Sequence, residues 1–147
     1  MAPLVIDETA TTRADPAAVY ALLADGSTWP EWSPIGAFEL IAPGEGTPEG
    51  LGAVRLFTTG RHKSRERVVE CRPGERFAYV LERGLPLAGY KAVITLTPTG
   101  GGTSVNWHST FRAKVPGTGW LYHRELGTFI KQTVEGLAAA TDRARAS

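Results

Sequence analysis

The sequence predicts an α+β domain made of an antiparallel sheet of about seven strands and one long C-terminal helix. Residues 35–112 contain six runs that alternate or favour strand residues, separated by short turn signals. Such short links join antiparallel neighbours, because parallel strands need longer crossovers. After Pro116-Gly117 the apolar residues recur at helical spacing to the end of the chain. With 147 residues, the chain is expected to form one domain over residues 1–147.

The first part of the chain predicts one strand followed by two short helices. The segment LVIDETATT is rich in β-branched residues, which favours a strand. Asp15-Pro16 supplies an N-cap and a first-turn proline for a helix that Asp25-Gly26 closes. The next segment, STWPEWSPIG, holds two prolines and two tryptophans. It predicts a broken-helix connector whose indole rings are buried.

The remaining elements follow from periodicity. Glycine and proline turns separate the six further strands, which are predicted at 35–42, 51–60, 62–71, 76–83, 88–97 and 103–112. The final segment predicts a helix of about 25 residues, long enough to cross a whole domain. Its apolar face consists of Tyr122, Leu126, Phe129, Ile130, Thr133, Leu137 and Thr141.

Composition excludes several functional classes. Lys and Arg number 16 against 15 Asp and Glu, which argues against a nucleic-acid binder held by counterion release. Cys71 is the only cysteine, so no internal disulfide can form. No apolar run approaches the ~18 residues of a membrane span, and residues 1–10 do not resemble a signal peptide. We therefore expect a cytoplasmic protein without stable membrane insertion, either a monomer or a weak homodimer.

Three longer segments carry a resemblance to a known superfamily. They are ADPAAVYALLADGSTWPEW, ERVVECRPGERFAYVLE and TLTPTGGGTSVNWHSTF. With the order of elements, they resemble the START-like (SRPBCC) superfamily of polyketide cyclases/dehydrases and lipid-transport proteins. The resemblance implies a helix-grip fold, in which a curved antiparallel sheet wraps around the C-terminal helix. It specifies the fold better than the chemistry, because the superfamily includes carriers, cyclases, oxygenase domains and co-chaperone modules.

Strand alternation predicts which side chains face the inside of such a sheet. The inward face mixes bulky apolar residues, which can fill a solid core, with polar tips that need partners or water. That mixture is typical of ligand pockets. The predicted ligand-binding residues are Trp32, Phe57, Glu66, Phe77, Tyr79, Leu81, Tyr90, Trp107, Ser109, Phe129 and Thr133.

Glu66 is the candidate for acid–base chemistry. In RHKSRERVV the four cations occupy alternate positions, so if they face water Glu66 points inward. Burial should then raise the pKa of its carboxyl group. Glu66 would act as a general acid or base with Tyr79 as a donor, or pair with an inward Arg55. The pairing with Arg55 is the favoured interpretation.

Small residues and one loop suggest where space for a ligand lies. Gly127, Gly136 and Thr133 fall within the closing helix, where they either allow close packing on the sheet or leave volume for a ligand. The second interpretation is favoured here because the superfamily resemblance supports a cavity. Segment 43–50, with three glycines, is predicted to be a flexible loop that can act as a lid.

No metal, nucleotide or covalent cofactor is expected. The three histidines lack the spacing of a zinc site, and no phosphate loop, nucleophile elbow or zinc-binding helix motif is present. His108 is predicted on the outer face of its strand. His123 is predicted near the mouth of the cavity, early in the closing helix.

Three functional hypotheses remain open. The leading one is a binding module that holds a small hydrophobic or aromatic molecule, lipid- or polyketide-like, between sheet and helix. The second is an enzyme of the polyketide cyclase/dehydrase type that uses the same cavity. The third is a co-chaperone-like interaction module, which a filled interior would favour. Binding without turnover is preferred.

Overall fold

The computed structural model describes residues 2–146 and confirms the predicted α+β architecture. Seven strands form one sheet, and two short helices follow the first strand, linked by a 3₁₀ turn at Gly26–Thr28. The bounds are β1 Leu4–Thr12, α1 Pro16–Ala24, α2 Trp29–Trp32, β2 Ala37–Ala42, β3 Val54–Thr59, β4 His62–Arg72, β5 Arg76–Arg83, β6 Leu87–Thr99, β7 Gly102–Ala113 and α3 Gly119–Ala146.

The sheet is an antiparallel meander with the order β1-β7-β6-β5-β4-β3-β2. Each strand from β2 to β6 pairs with the next one along the chain, and β1 returns to pair with β7. β3 begins at Val54, three residues later than the alternation predicts. Residues 51–53 instead form the turn that leads into it. Apart from this later start of β3, the side chains of the central strands that alternation predicts to face inward or outward do so.

The predicted cap of α1 is present. The Asp15 side chain accepts a hydrogen bond from the Ala18 backbone N–H at 2.9 Å, and Pro16 occupies the first helical position. Val19 and Leu23 then face the core and are fully buried. The helix therefore starts where local chemistry satisfies its free N–H groups.

The C-terminal half of α3 packs tightly against the rest of the molecule. Ile130, Val134 and Leu137 are buried. A Cβ atom on Gly136 would overlap the carbonyl oxygen of Trp32, so only glycine permits this close approach. Thr133 is also buried, and its hydroxyl donates to the Phe129 carbonyl at 2.7 Å. The expectation that Gly136 and Thr133 leave room for a ligand is therefore wrong, because both serve packing.

Polar contacts fix the end of α3 to the end of β1. The Asp142 carboxylate accepts hydrogen bonds from the Thr12 hydroxyl at 2.8 Å and from the Arg13 backbone N–H at 2.7 Å. The Thr141 hydroxyl also donates to that of Thr12 at 2.8 Å. This clamp holds the C-terminal end of the helix against the end of β1.

Within residues 2–146, no helix combines the length and the hydropathy needed to cross a bilayer.

Candidate functional site

A cavity of about 460 Å³ lies between the sheet and the N-terminal half of α3. Strands β3 to β5, Tyr90 of β6 and the loop at 85–87 supply one side of its wall. The first turns of α3 supply the opposite side through Tyr122, Leu126 and Phe129, which are only half-buried. The C-terminal part of the apolar stripe of α3 therefore packs against the rest of the molecule, whereas its N-terminal part borders the cavity.

Aromatic rings form the deep end of the cavity. Trp29 stacks on Phe57 with 4.7 Å between ring centroids, and its indole N–H donates to the Leu23 carbonyl at 3.2 Å. Tyr79 approaches Trp29 edge-on at 6.3 Å. Because these rings hold one another in place, this end of the cavity is preformed.

Glu66 brings a carboxyl group into this apolar wall. It is 8% exposed, and its Oε1 has no hydrogen-bond partner. Burial raises its pKa to about 8, an effect that the nearby Arg55 guanidinium partly opposes. The carboxyl group is therefore mostly protonated at neutral pH. The predicted inward orientation and raised pKa of Glu66 are both confirmed.

The predicted pairing of Glu66 with Arg55 is wrong. Although the two residues are cross-strand neighbours on β3 and β4, Arg55 forms its ion pair with Glu49 at 3.2 Å and donates to the Leu23 carbonyl at 3.1 Å. Its guanidinium also lies about 5.0 Å from each of the rings of Trp29 and Phe57. These contacts draw Arg55 behind the cavity wall, so it does not line the cavity.

Two tyrosines add hydroxyl groups near Glu66. The Tyr90 hydroxyl lies 3.0 Å from that of Ser109, and either oxygen can be the donor. Burial raises the pKa of Tyr90 to about 12, against the lowering effect of this hydrogen bond. Burial also holds the pKa of Tyr79 well above its usual value. Both phenols therefore stay protonated and available as hydrogen-bond donors over the ordinary pH range.

The structure divides the predicted ligand-binding residues into two groups. Phe57, Glu66, Tyr79, Leu81, Tyr90 and Phe129 line the cavity. The others do not line it and are buried beside or behind its wall: Trp32, Phe77, Trp107, Ser109 and Thr133.

Strand alternation predicted that the strand residues of this second group face inward, but it could not predict that they do not line the cavity. Trp107 lies 5.7 Å from Trp29 and 6.4 Å from Tyr79, measured between ring centroids, but unlike these two residues it does not line the cavity. Phe77 faces the Arg55 guanidinium at 4.9 Å. Both are nevertheless buried on the inward side, as the strand register requires.

Sequence reasoning missed several lining residues. His62 and Ser64 share the inward face of β4 with Glu66, so the same alternation could have identified them. The helical stripe that includes Phe129 also contained Tyr122 and Leu126. Residues 85–87 carried no comparable signal, because their position depends on how the β5–β6 loop folds back.

The loop after β5 lines the cavity through Leu85 and Pro86. Gly84 has a φ of 121°, and a Cβ there would overlap the Lys63 carbonyl oxygen, so glycine lets this loop fold against β4. Segment 43–50 does not line the cavity. Its Glu49 instead accepts hydrogen bonds from Arg55 and from the Gly26 backbone N–H. The predicted role of segment 43–50 as a lid over this cavity is therefore wrong.

The histidines do not assemble into a site. His108 lies on the outer face, as predicted, with its Nδ1 2.7 Å from the Asp7 carboxylate. His123 lies in the first turns of α3, but its Nε2 is 2.8 Å from the Val5 carbonyl oxygen and the residue does not line the cavity. Among residues 2–146, no group of three or more His, Cys, Asp and Glu side chains could hold a metal ion.

A second hollow, of about 410 Å³, lies between the start of α1 and the end of α3. It is bordered by exposed charged residues such as Arg13 and Arg145 and by small alanines. Among its described lining residues, no buried polar side chain lacks a partner. The cavity around Glu66 is therefore the better candidate site.

Comparison with solved structures supports the fold. A START superfamily protein from Mycobacterium smegmatis superimposes with a TM-score of 0.82 at 13% identity, covering 95% of this chain and 98% of the other. A protein from Thermobifida fusca gives 0.76 at 24% identity, covering 95% and 93%. A point mutant of norcoclaurine synthase from Thalictrum flavum gives 0.78 at 13% identity, covering 98% and 97%.

Comparison with curated proteins finds no match. A family model described as "Polyketide cyclase / dehydrase and lipid transport" matches residues 3–144. Since this match spans nearly the whole chain and the fold agrees with its START-like neighbours, the chain belongs to the polyketide cyclase/dehydrase and lipid transport family.

Proposed function

We propose that this protein binds a small hydrophobic or aromatic ligand, lipid- or polyketide-like, in the cavity between the sheet and α3. The observation that carries the proposal is a cavity of about 460 Å³ whose wall is mainly aromatic and aliphatic, with few polar groups. Its volume and composition match those of small-molecule sites, which span roughly 300–1,000 Å³. A structural core would normally fill such a volume with side chains.

The comparisons with known proteins also support the binding of a small molecule. The family description names lipid transport together with polyketide cyclisation and dehydration. The norcoclaurine synthase structure is a complex with a transition-state analogue, so a protein of similar fold accommodates a small molecule. We further propose that the protein acts in the cytoplasm as a monomer or weak homodimer, without a metal or covalent cofactor.

An enzyme of the cyclase/dehydrase type is the second candidate, and Glu66 favours it. A carboxyl group that stays protonated at neutral pH can act as a general acid on a bound carbonyl compound. No hydrogen bond joins Glu66 to Tyr79 in the described structure, however, so an acid–base pair is not preassembled. The open interior also weighs against a co-chaperone-like module that uses only its surface.

Ligand binding is tested by thermal shift with a panel of naphthalenes, flat tricyclic phenols and fatty alcohols. A ligand at about 100 times its Kd stabilises a protein by about 2.7 kcal/mol, so binding should raise the melting temperature saturably. Leu126→Trp, inside the cavity, should abolish the shift. Leu51→Trp, at an exposed position outside it, is the matched control and should retain it. If no compound shifts the wild type, or if both variants behave alike, the proposal fails.

A further inference from the structure

Glu66 is a buried polar residue of the cavity wall. One of its carboxyl oxygens has no hydrogen-bond partner. The side chain of Glu66 is more than nine-tenths buried, and Oε1 makes no hydrogen bond. Its cross-strand neighbour Leu81 and its near neighbour Tyr79 both line the cavity with it. Leaving a carboxyl group without partners costs free energy, so a ligand that hydrogen-bonds to the part of the Glu66 carboxyl group that borders the cavity gains affinity.

We propose that Glu66 selects the ligand by donating a hydrogen bond to an uncharged oxygen acceptor, such as the carbonyl group of a ketone, ester or quinone. This inference rests on the proposed function, since it assumes that the cavity binds a hydrophobic molecule. It narrows the ligand to a neutral aromatic or apolar carbonyl compound and excludes fatty-acid anions and amines.

The surroundings of Glu66 keep its proton in place. Burial is the main cause and raises its pKa to about 8, whereas Arg55 acts weakly in the other direction. At pH 7 the protonated form then outnumbers the ionised form by roughly ten to one. The titratable and charged groups around it are Arg55 on β3, His62 on β4, Tyr79 on β5, Tyr90 on β6, and Tyr122 and Glu125 on α3.

Within residues 2–146, the cavity offers an anionic ligand no permanent positive charge. Its described lining contains no lysine or arginine. The nearest buried cation, Arg55, already forms an ion pair with Glu49. Glu125 adds a carboxylate where α3 borders the cavity. A carboxylate ligand would therefore lose its hydration without gaining a free cation, which is unfavourable.

A cationic ligand is disfavoured for a different reason. An ammonium group needs Glu66 to be ionised, and only about one molecule in ten is ionised at pH 7. A neutral acceptor needs no change of protonation.

The test uses four probes that share one ring system: 2-acetylnaphthalene, 2-ethylnaphthalene, 2-naphthoate and (2-naphthylmethyl)ammonium. Their Kd values are measured by calorimetry. For the wild type at pH 7, the ketone should bind roughly tenfold tighter than the ethyl compound, the gain typical of one hydrogen bond. Between pH 7 and pH 9 its Kd should weaken by roughly fivefold, because the donor is lost as Glu66 ionises. The ethyl compound should bind equally at both pH values.

Two variants separate the role of Glu66 from that of cavity shape. Glu66→Gln retains an N–H donor, so it should keep the preference for the ketone and lose the pH dependence. Glu66→Leu should bind both neutral probes with similar Kd values at either pH. Glu31→Gln, at an exposed position on α2, should behave as the wild type.

Each outcome is decisive. Binding of 2-ethylnaphthalene without a preference for the ketone, or the same preference in Glu66→Leu, overturns the role of Glu66 and leaves the proposed function intact. Tighter binding of the ammonium probe with rising pH overturns the inference in favour of an anionic Glu66. If no naphthalene and no compound of the wider panel binds, the proposed function fails and this inference falls with it.

Discussion

Because Glu66 is buried, the free energy of unfolding of this protein depends on pH. A single substitution at Glu66 can reveal this dependence. The pKa of Glu66 rises from 4.5 to about 8 on folding. Between these values the folded state keeps a proton that the unfolded chain releases. The stabilising effect of this proton is therefore complete below about pH 4.5 and is lost as the pH rises through about 8. In Glu66→Gln, which cannot titrate at this position, that loss is absent.

The size of the effect follows from the shift. Each pH unit between the two pKa values changes the free energy of unfolding by about 1.4 kcal/mol. Because the slope is reduced close to the unfolded pKa, the interval from pH 5 to pH 7 is worth roughly 2–3 kcal/mol. Over that interval, the wild type should lose roughly 2–3 kcal/mol of unfolding free energy relative to Glu66→Gln.

The assay is urea denaturation followed by tryptophan fluorescence at four pH values from 5 to 8. All other carboxyl groups are common to the two proteins, so the difference between their unfolding free energies isolates Glu66. Glu31→Gln, on the surface, is the control and should run parallel to the wild type. Parallel curves for the wild type and Glu66→Gln would refute the view that Glu66 is buried and protonated.

Four further substitutions test packing and polar contacts, and the effect of each on the free energy of unfolding is measured by denaturant unfolding. Gly136→Ala should destabilise the protein by about 2 kcal/mol, because its methyl group would strike backbone. Gly127→Ala, with no atom within 4 Å of the new Cβ, should stabilise the protein by up to about 1 kcal/mol. If Gly127→Ala and Gly136→Ala changed the free energy of unfolding equally, the placement of the helix would be contradicted. Arg55→Met should cost about 3 kcal/mol by leaving Glu49 unpaired, and a neutral result would mean that the ion pair is weak. Tyr90→Phe should cost about 1 kcal/mol, and no loss would argue against its bond to the Ser109 hydroxyl.

The sequence predicts the fold well because local rules specify most of it. Asp15-Pro16 starts α1 by capping chemistry alone, and the glycine-rich turns place the strands of the meander. Period-2 alternation assigned Glu66 and Tyr79 to the inside correctly. These signals depend on neighbours in the chain, so they can be interpreted without tertiary information.

The cavity was harder to predict because depth depends on three-dimensional packing. Alternation assigns Trp107 and Tyr79 to the inward side but cannot tell that Tyr79 lines the cavity and Trp107 does not. The choice of Glu49 over Glu66 as the partner of Arg55 is set by the β2–β3 loop, whose path no local pattern fixes. Gly136 was misinterpreted for a similar reason, since the backbone it approaches belongs to a distant helix.

The most direct test of the central claim is to locate a bound hydrophobic probe by NMR. Intermolecular NOEs are recorded between 2-acetylnaphthalene and the methyl groups of protein labelled with ¹³C. Binding in the cavity predicts NOEs to Leu81 and Leu126, which line it, and none to the deeply packed Leu137. NOEs confined to exposed methyl groups such as those of Leu51 or Val115 would contradict the claim that this cavity is the binding site.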